Sequence, residues 1–367
     1  MSKILVVGGA GYVGSVLTRE LLERGYAVRV VDRLYFGDDS LREVRDRVDL
    51  VVADIRALPP DVLQGIDGVI NVAGLSNDPT AEYNPAANHE MNTVASVRLA
   101  EYCREAGVRR YVFGSSCSIY DLGLAEDGKD IVMDESAEVQ PRAAYATSKF
   151  EAEQQLIAMA GSGLCPVILR KGTVYGFSPR MRYDLVVNTF VKDALSHGTI
   201  TIYCGGEMWR PLLDVRDAAR AYVVCLEASE PLVSGQIFNV AFQNVRISEL
   251  ALRVRTAMRA MGLSVDIVPD YGYRGVRSYR VSARKIQQVL GFIAKVDIEE
   301  AVREMVTSIR QYHYEDFDHP RYYNIRWMQF LEEAERAVAV TGSVFGAPVP
   351  SSRPRPVSSV SRSTRGE

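Results

Sequence analysis

The chain has 367 residues, 47% hydrophobic and 24% charged, which supplies enough apolar side chain for one large or two fused cores and excludes disorder as its main state. Lys and Arg number 43 against 46 Asp and Glu, a formal charge of -3, so no global positive field gathers nucleic acid or anionic lipid. Five scattered cysteines without a CxxC pair suit reduced thiols in a cytosol, and no signal-type run or membrane span is expected.

Short aliphatic runs at Ile4–Val7, Ala27–Val31, Leu50–Ala53, Val69–Val72, Tyr111–Phe113 and Val167–Leu169 predict buried parallel strands. Between them, Val16–Arg24 and Val94–Glu105 carry apolar residues at helical spacing and stop at Gly25 and Gly107. The alternation predicts an α/β fold of Rossmann type, a doubly wound parallel sheet over residues 1–175. Beyond Gly172 the spacing predicts a helix at Leu185–Leu195, a strand at Thr199–Tyr203 and helices at Asp217–Ala228 and Ile247–Met261. These are assigned to a smaller substrate-binding part, 176–341, interleaved with the sheet. Residues 342–367 are dense in Pro, Ser, Gly and Arg and are expected to be a disordered tail.

Gly8, Gly11 and Gly14 form a GxxGxxG turn that follows the first strand and opens the first helix, where bare backbone can approach a pyrophosphate. Tyr12 and Val13, inside that turn, and Asn92 are further candidate cofactor contacts. Asp32 ends the second strand, where a carboxylate accepts from ribose hydroxyls and repels a 2′-phosphate, which favours NAD over NADP. Arg33 pulls the other way, since it can stack on adenine or pair with a 2′-phosphate. Asp54-Ile55 is placed at an adenine edge, and Ala73-Gly74 at a close backbone pass beside the cofactor.

Tyr145 and Lys149 stand four residues apart, hence on one face of a helix. A free phenol titrates near ~10, and a fixed ammonium beside it favours phenolate. Clustered hydroxyls at Ser115, Ser116 and Ser118 end the fifth strand, at the sheet edge where ligands bind.

With these motifs together, the chain resembles an extended short-chain dehydrogenase/reductase of the NAD-dependent epimerase/dehydratase group, over Ile4 to about Met305. Arg170–Gly176, Trp209-Arg210-Pro211 running to Asp214–Asp217, and Arg277-Ser278-Tyr279 add to the likeness. The resemblance implies Ser116, Tyr145 and Lys149 as the catalytic set. Tyr145 would be the acid/base at a sugar hydroxyl, Ser116 would orient that hydroxyl and Lys149 would hold the nicotinamide ribose. It also implies that Ser116, Cys117, Ser118, Asn188, Arg210 and Arg277 meet a UDP-, dTDP- or GDP-linked sugar, and that two copies pair as a homodimer. Val7 stands where the family's threonine precedes the glycine turn. Cys117-Ser118 replaces the Asp-Glu pair of similar 4,6-dehydratases, which disfavours that dehydration.

The implied activity is a nucleotide-sugar 4-epimerase working through a transient 4-keto sugar. The alternatives are a 4-keto-sugar reductase, a dehydratase or C3/C5 epimerase using Cys117 and Ser118, and a non-enzymatic cofactor sensor. His89, His197, His313 and His319 lie far apart, so no metal is expected. The Asp270–Arg280 run imitates a nucleic-acid patch, but the balanced charge argues against that partner.

Overall fold

The predicted aliphatic runs become the strands of one parallel sheet in the structure, a computed structural model that describes residues 1–59, 61–120, 131–272 and 278–342. Its seven strands lie in the order Gln236–Val240, Cys165–Lys171, Arg110–Ser116, Gly68–Asn71, Lys3–Val7, Ala27–Asp32, Val48–Val52, and every adjacent pair is parallel. Chain direction away from Lys3–Val7 reverses beside Gly68–Asn71, and at such a switch point a crevice opens at the carboxyl ends of the strands.

Side chains alternate between two covered faces, which is why the strand sequences read as continuous apolar runs. Val6, Val30, Ile70, Val112, Leu169 and Phe238 pack under helices Tyr12–Glu23 and Val215–Glu227. Leu5, Val7, Val69, Phe113 and Ile168 pack under helices Ala95–Glu105 and Ala144–Ala158. Each such fully buried side chain contributes about 1.5–3 kcal/mol relative to exposure. A third core, including Tyr175, Phe190, Leu250, Val254, Val302 and Met305, joins helices Val186–His197, Ile247–Ala260 and Ile298–Gln311.

The strand Gln236–Val240 was not expected from sequence. Its Asn239 looks like a surface residue, but it is fully buried because its Oδ1 accepts from Tyr120 Oη at 2.8 Å. The chain divides into two compact units, Met1–Trp327 and Met328–Glu367. In the second, the described residues are helical as far as Thr341. Most of the tail expected at 342–367 lies outside the described residues. No helix among the described residues is long and apolar enough to cross a membrane.

The first helix meets the sheet at Gly14 with no room for a side chain. A Cβ there would stand 2.0 Å from Gly8 O and 2.7 Å from Gly9 Cα. Gly14→Ala must therefore push the helix off the turn, and we expect a loss of about 1–3 kcal/mol of stability by denaturant unfolding. Unchanged stability would show that the turn is not this tightly packed.

Candidate active site

The glycine turn sits at the switch point, between the ends of the first, second and fourth strands. Gly8 N–H donates to Val31 O at 2.7 Å, and Asp32 Oδ2 accepts from Ala10 N at 3.0 Å while its Oδ1 accepts from Leu34 N at 2.8 Å. Asp32 thus clamps the turn, and a spare lone pair on each oxygen remains for a ligand hydroxyl. Burial raises its pKa against those backbone bonds. Tyr12 sends its phenol away from the turn to donate to Gly176 O at 2.6 Å, and Val13 packs on the core, so both present backbone rather than side chain.

A cavity of about 600 Å³ opens beside the second and third strands, lined by Arg33, Val52, Ala53, Asp54, Arg56 and Glu90 among others. The carboxylate of Asp54 does not wait for an adenine edge, because Arg56 engages both its oxygens and Arg33 Nη1 donates to Oδ2 at 2.7 Å. Arg56 holds the Asp54 carboxyl down at about 2. Ile55 is buried directly after it. Arg33, itself over the Tyr35 ring, is one wall of this cavity rather than a free anion hook.

Ala73-Gly74 passes close to the Ala144–Ala158 helix. A Cβ on Gly74 would lie 1.9 Å from Asn92 Oδ1 and 3.8 Å from Lys149 Nζ, so only glycine fits against Asn92 here. Asn92 lies on a π-helical turn, Glu90–Val94, and donates to Leu75 O, Asn88 Oδ1 and Ser148 Oγ at 3.0, 2.7 and 3.2 Å. It pins the Gly74 loop to the helix bearing Lys149, a supporting role beside any cofactor contact. A π-turn re-aims side chains in this way and is common at functional sites.

Tyr145 and Lys149 do share the Ala144–Ala158 helix. Lys149 is 4% exposed, with Nζ 4.7 Å from the centroid of the Phe113 ring. Burial pulls its pKa down to about 8, opposed by the Glu153 charge. Ser116 Oγ, at the end of the Arg110–Ser116 strand, accepts from Ser118 N at 3.1 Å.

Other expected contacts are placed elsewhere. Cys117 is fully buried and donates to Arg170 O at 3.1 Å, and burial pushes its thiol well above the ordinary range. That environment is the one a packed thiol has, and it disfavours the thiolate. Ser118 is buried too, with an Oγ that finds no hydrogen-bond partner among the described residues. Asn188 is fully buried, and its amide accepts from Gly176 N and donates to Tyr12 Oη and Arg182 O. Arg210 turns to its neighbour, donating to Trp209 O at 2.8 Å and lying over Tyr279. Arg277 lies outside the described residues.

Two features were not expected as parts of the site, although Arg170 and Lys171 lie in the Arg170–Gly176 motif. Lys171 is the sheet partner of Ser116, and its Nζ donates to Ser115 O at 2.9 Å and Tyr222 Oη at 2.7 Å. Burial and the like charge of Lys149 pull its pKa down to about 7. Glu153 and Arg170 form a buried ion pair, with Arg170 Nη2 2.7 Å from Glu153 Oε2, and Ser115 Oγ donates to the same carboxylate. Among the described residues no three His, Cys, Asp or Glu gather as a metal site.

The model of the NAD dependent epimerase/dehydratase family matches residues 4–241. The chain belongs to this family. A UDP-N-acetyl-alpha-D-glucosaminuronate decarboxylase from Bacillus cytotoxicus is 23% identical over 320 residues, 84% of this chain and 98% of that protein. A UDP-glucose 4-epimerase from Corynebacterium glutamicum is 29% identical over 244 residues, 62% of this chain and 72% of that protein. The solved structure of MoeE5 in complex with UDP-glucuronic acid and NAD aligns with a TM-score of 0.72 at 28% identity, covering 85% of this chain and 100% of that one. The family is one of NAD-dependent enzymes, which sets the binding-only reading aside.

Two outcomes follow from this electrostatic arrangement. Lys149 has a depressed pKa, so its charge is present below about pH 8 and lost as pH rises through that value. We expect kcat/KM to fall on that alkaline side, and Lys149→Arg, which keeps its proton, to remove the limb from the residual activity. A limb that stays at the same pH would assign it to another group. Glu153→Ala strands the Arg170 guanidinium in the core and is expected to cost about 3–5 kcal/mol in urea unfolding.

Proposed function

We propose that this protein is an NAD-dependent nucleotide-sugar 4-epimerase. The observation that carries the reading is the approach of Lys149 Nζ to the bare Gly74 backbone, on the helix that carries Tyr145 one turn earlier. The residues fit a dinucleotide: the glycine turn offers bare backbone to its phosphates, and Gly74 brings bare backbone close to Lys149 Nζ. NAD, when bound there, supplies a reversible hydride acceptor.

The chain itself handles the proton. Tyr145, as phenolate, takes the proton of the sugar O4 as the C4 hydride leaves, and returns it when hydride comes back to the opposite face of the 4-keto sugar. Lys149 lowers the cost of that phenolate by its fixed charge. Ser116 orients the same oxygen. The cofactor ends each cycle as it began, so no outside reductant is consumed. Burial of the Cys117 thiol, described above, supports C4 chemistry over the elimination and C3/C5 routes. The relatives named above act, by their names, on UDP-linked sugars, and supply the substrate class to try first.

The test is incubation of the full-length protein with UDP-, dTDP- and GDP-hexoses and hexuronic acids, with C4 inversion followed by proton NMR. Tyr145→Phe is expected to lower turnover by about 10²–10⁴-fold while sparing NAD binding. Stoichiometric NADPH consumption on a 4-keto sugar would assign a reductase instead. Release of CO₂ from a nucleotide uronic acid would assign a decarboxylase.

A further inference from the structure

Arg180 lies in the loop that follows the Thr173–Tyr175 strand, and only 7% of it is exposed. Its Nη2 donates to Asn324 Oδ1 at 2.6 Å, whereas Nη1 is buried with no hydrogen-bond partner among the described residues. The guanidinium carbon stands 3.6 Å from the centroid of the Phe36 ring, on the segment that leaves Asp32. Ser178 fastens the same loop to the glycine turn: its Oγ donates to Tyr12 O at 2.7 Å, lies 3.1 Å from Ser15 Oγ, and accepts from Arg180 N at 3.3 Å. The loop that carries Arg180 is therefore fastened to the amino-terminal end of helix Tyr12–Glu23, whose first N–H groups and dipole favour negative charge, and the guanidinium lies within electrostatic range of Asp32 and Tyr12.

Among the described residues no carboxylate forms an ion pair with this group. Asp32 and Asp184 lie within electrostatic range, but Asp32 accepts from Ala10 N and Leu34 N, and Asp184 is taken by Arg182. Burial, with Arg182 as a like charge, pulls the pKa of Arg180 down to about 9. A buried cation without a hydrogen-bonded counter-charge is costly, and it persists where an anion completes it. Asn324 holds the guanidinium from a carboxy-terminal segment anchored twice more: Asn324 Nδ2 donates to Ser76 Oγ at 2.9 Å and Trp327 Nε1 to Tyr35 O at 2.5 Å. Those contacts reach the loops after the fourth and second strands, on both sides of the crevice.

We propose that Arg180, steadied by Phe36 and Asn324, is the cationic contact for the pyrophosphate of the bound dinucleotide, opposite the N–H groups of the glycine turn. This rests on the dinucleotide occupying the crevice, and the test separates the two ideas. NAD, ADP-ribose and UDP are titrated calorimetrically into full-length wild type, Arg180→Met and Arg180→Lys, and each protein is melted without ligand. Wild type that binds neither NAD nor ADP-ribose would fail the cofactor reading itself.

In Arg180→Met, NAD and ADP-ribose are expected to weaken alike, by about 10–100-fold, because both carry the pyrophosphate. UDP is expected to be unaffected. The ligand-free melting temperature is expected to hold or rise, since an apolar chain of similar length replaces an uncompensated charge. Arg180→Lys is expected to recover part of the affinity. Unchanged NAD affinity with a lower melting temperature would make Arg180 a structural clamp and overturn the proposal. A loss confined to UDP would move the contact to the substrate, and equal loss in the Lys and Met variants would remove charge as the cause; either overturns it.

Discussion

Glu153 and Arg170 face each other with 0% and 3% of their side chains exposed, and the geometry of the whole candidate site is referred to that pair. Glu153 lies one turn after Lys149 and two after Tyr145 on the same helix, so the pair sets how that helix lies on the sheet. The same carboxylate accepts from Ser115 Oγ, the residue before Ser116. Arg170 continues outward to Tyr120 Oη at 2.8 Å, and Tyr120 to Asn239 on the edge strand. Helix, fifth strand, sixth strand and edge strand are thus tied by one satisfied polar network, which specifies position more sharply than apolar contact does. Its desolvation cost is the reason it must be complete: a half-satisfied version would be worse than an apolar core.

Around that fixed point the fold collects buried basic groups that form no ion pair among the described residues. Lys149 and Lys171 meet at the carboxyl edge of the sheet, each with its ordinary pKa depressed mainly by burial. Arg180 stands across the glycine turn in the same condition. Such an arrangement lowers intrinsic stability, and it runs against the general rule that buried charges are paired. Departures of this kind concentrate where a protein binds or reacts, because stability elsewhere can carry them. Here the large apolar cores on both faces of the sheet supply that stability.

The doubly wound sheet was legible because its strands are covered on both sides. A run such as Ile4–Val7 can only be buried, and Gly8 to Gly14 announces a turn of bare backbone next to it. Tyr145 and Lys149 were legible for a similar reason: helical periodicity puts positions four apart on one face whatever the surroundings. The edge strand Gln236–Val240 was not, since its Asn239 carries polar atoms that only a distant partner, Tyr120, makes acceptable in a core. Asp54, Asn188 and Cys117 show the same limit. Each has the right chemistry for a ligand, but each spends it on a protein partner that lies far off in the chain or around a local turn.

The sequence by itself determined the covered parallel sheet, the phosphate-type turn at its switch point and the phenol and ammonium on one helix face, because these depend on local periodicity and on residues lacking side chains. Only the tertiary structure decided which polar groups remain available. The carboxylate of Asp54 and the amino group of Asn188 have protein partners, while Lys171 and Arg180 become buried basic groups with depressed pKa values. Whether a charge or a hydrogen bond is already satisfied depends on partners brought together by long-range packing, and no spacing along the chain encodes that distance.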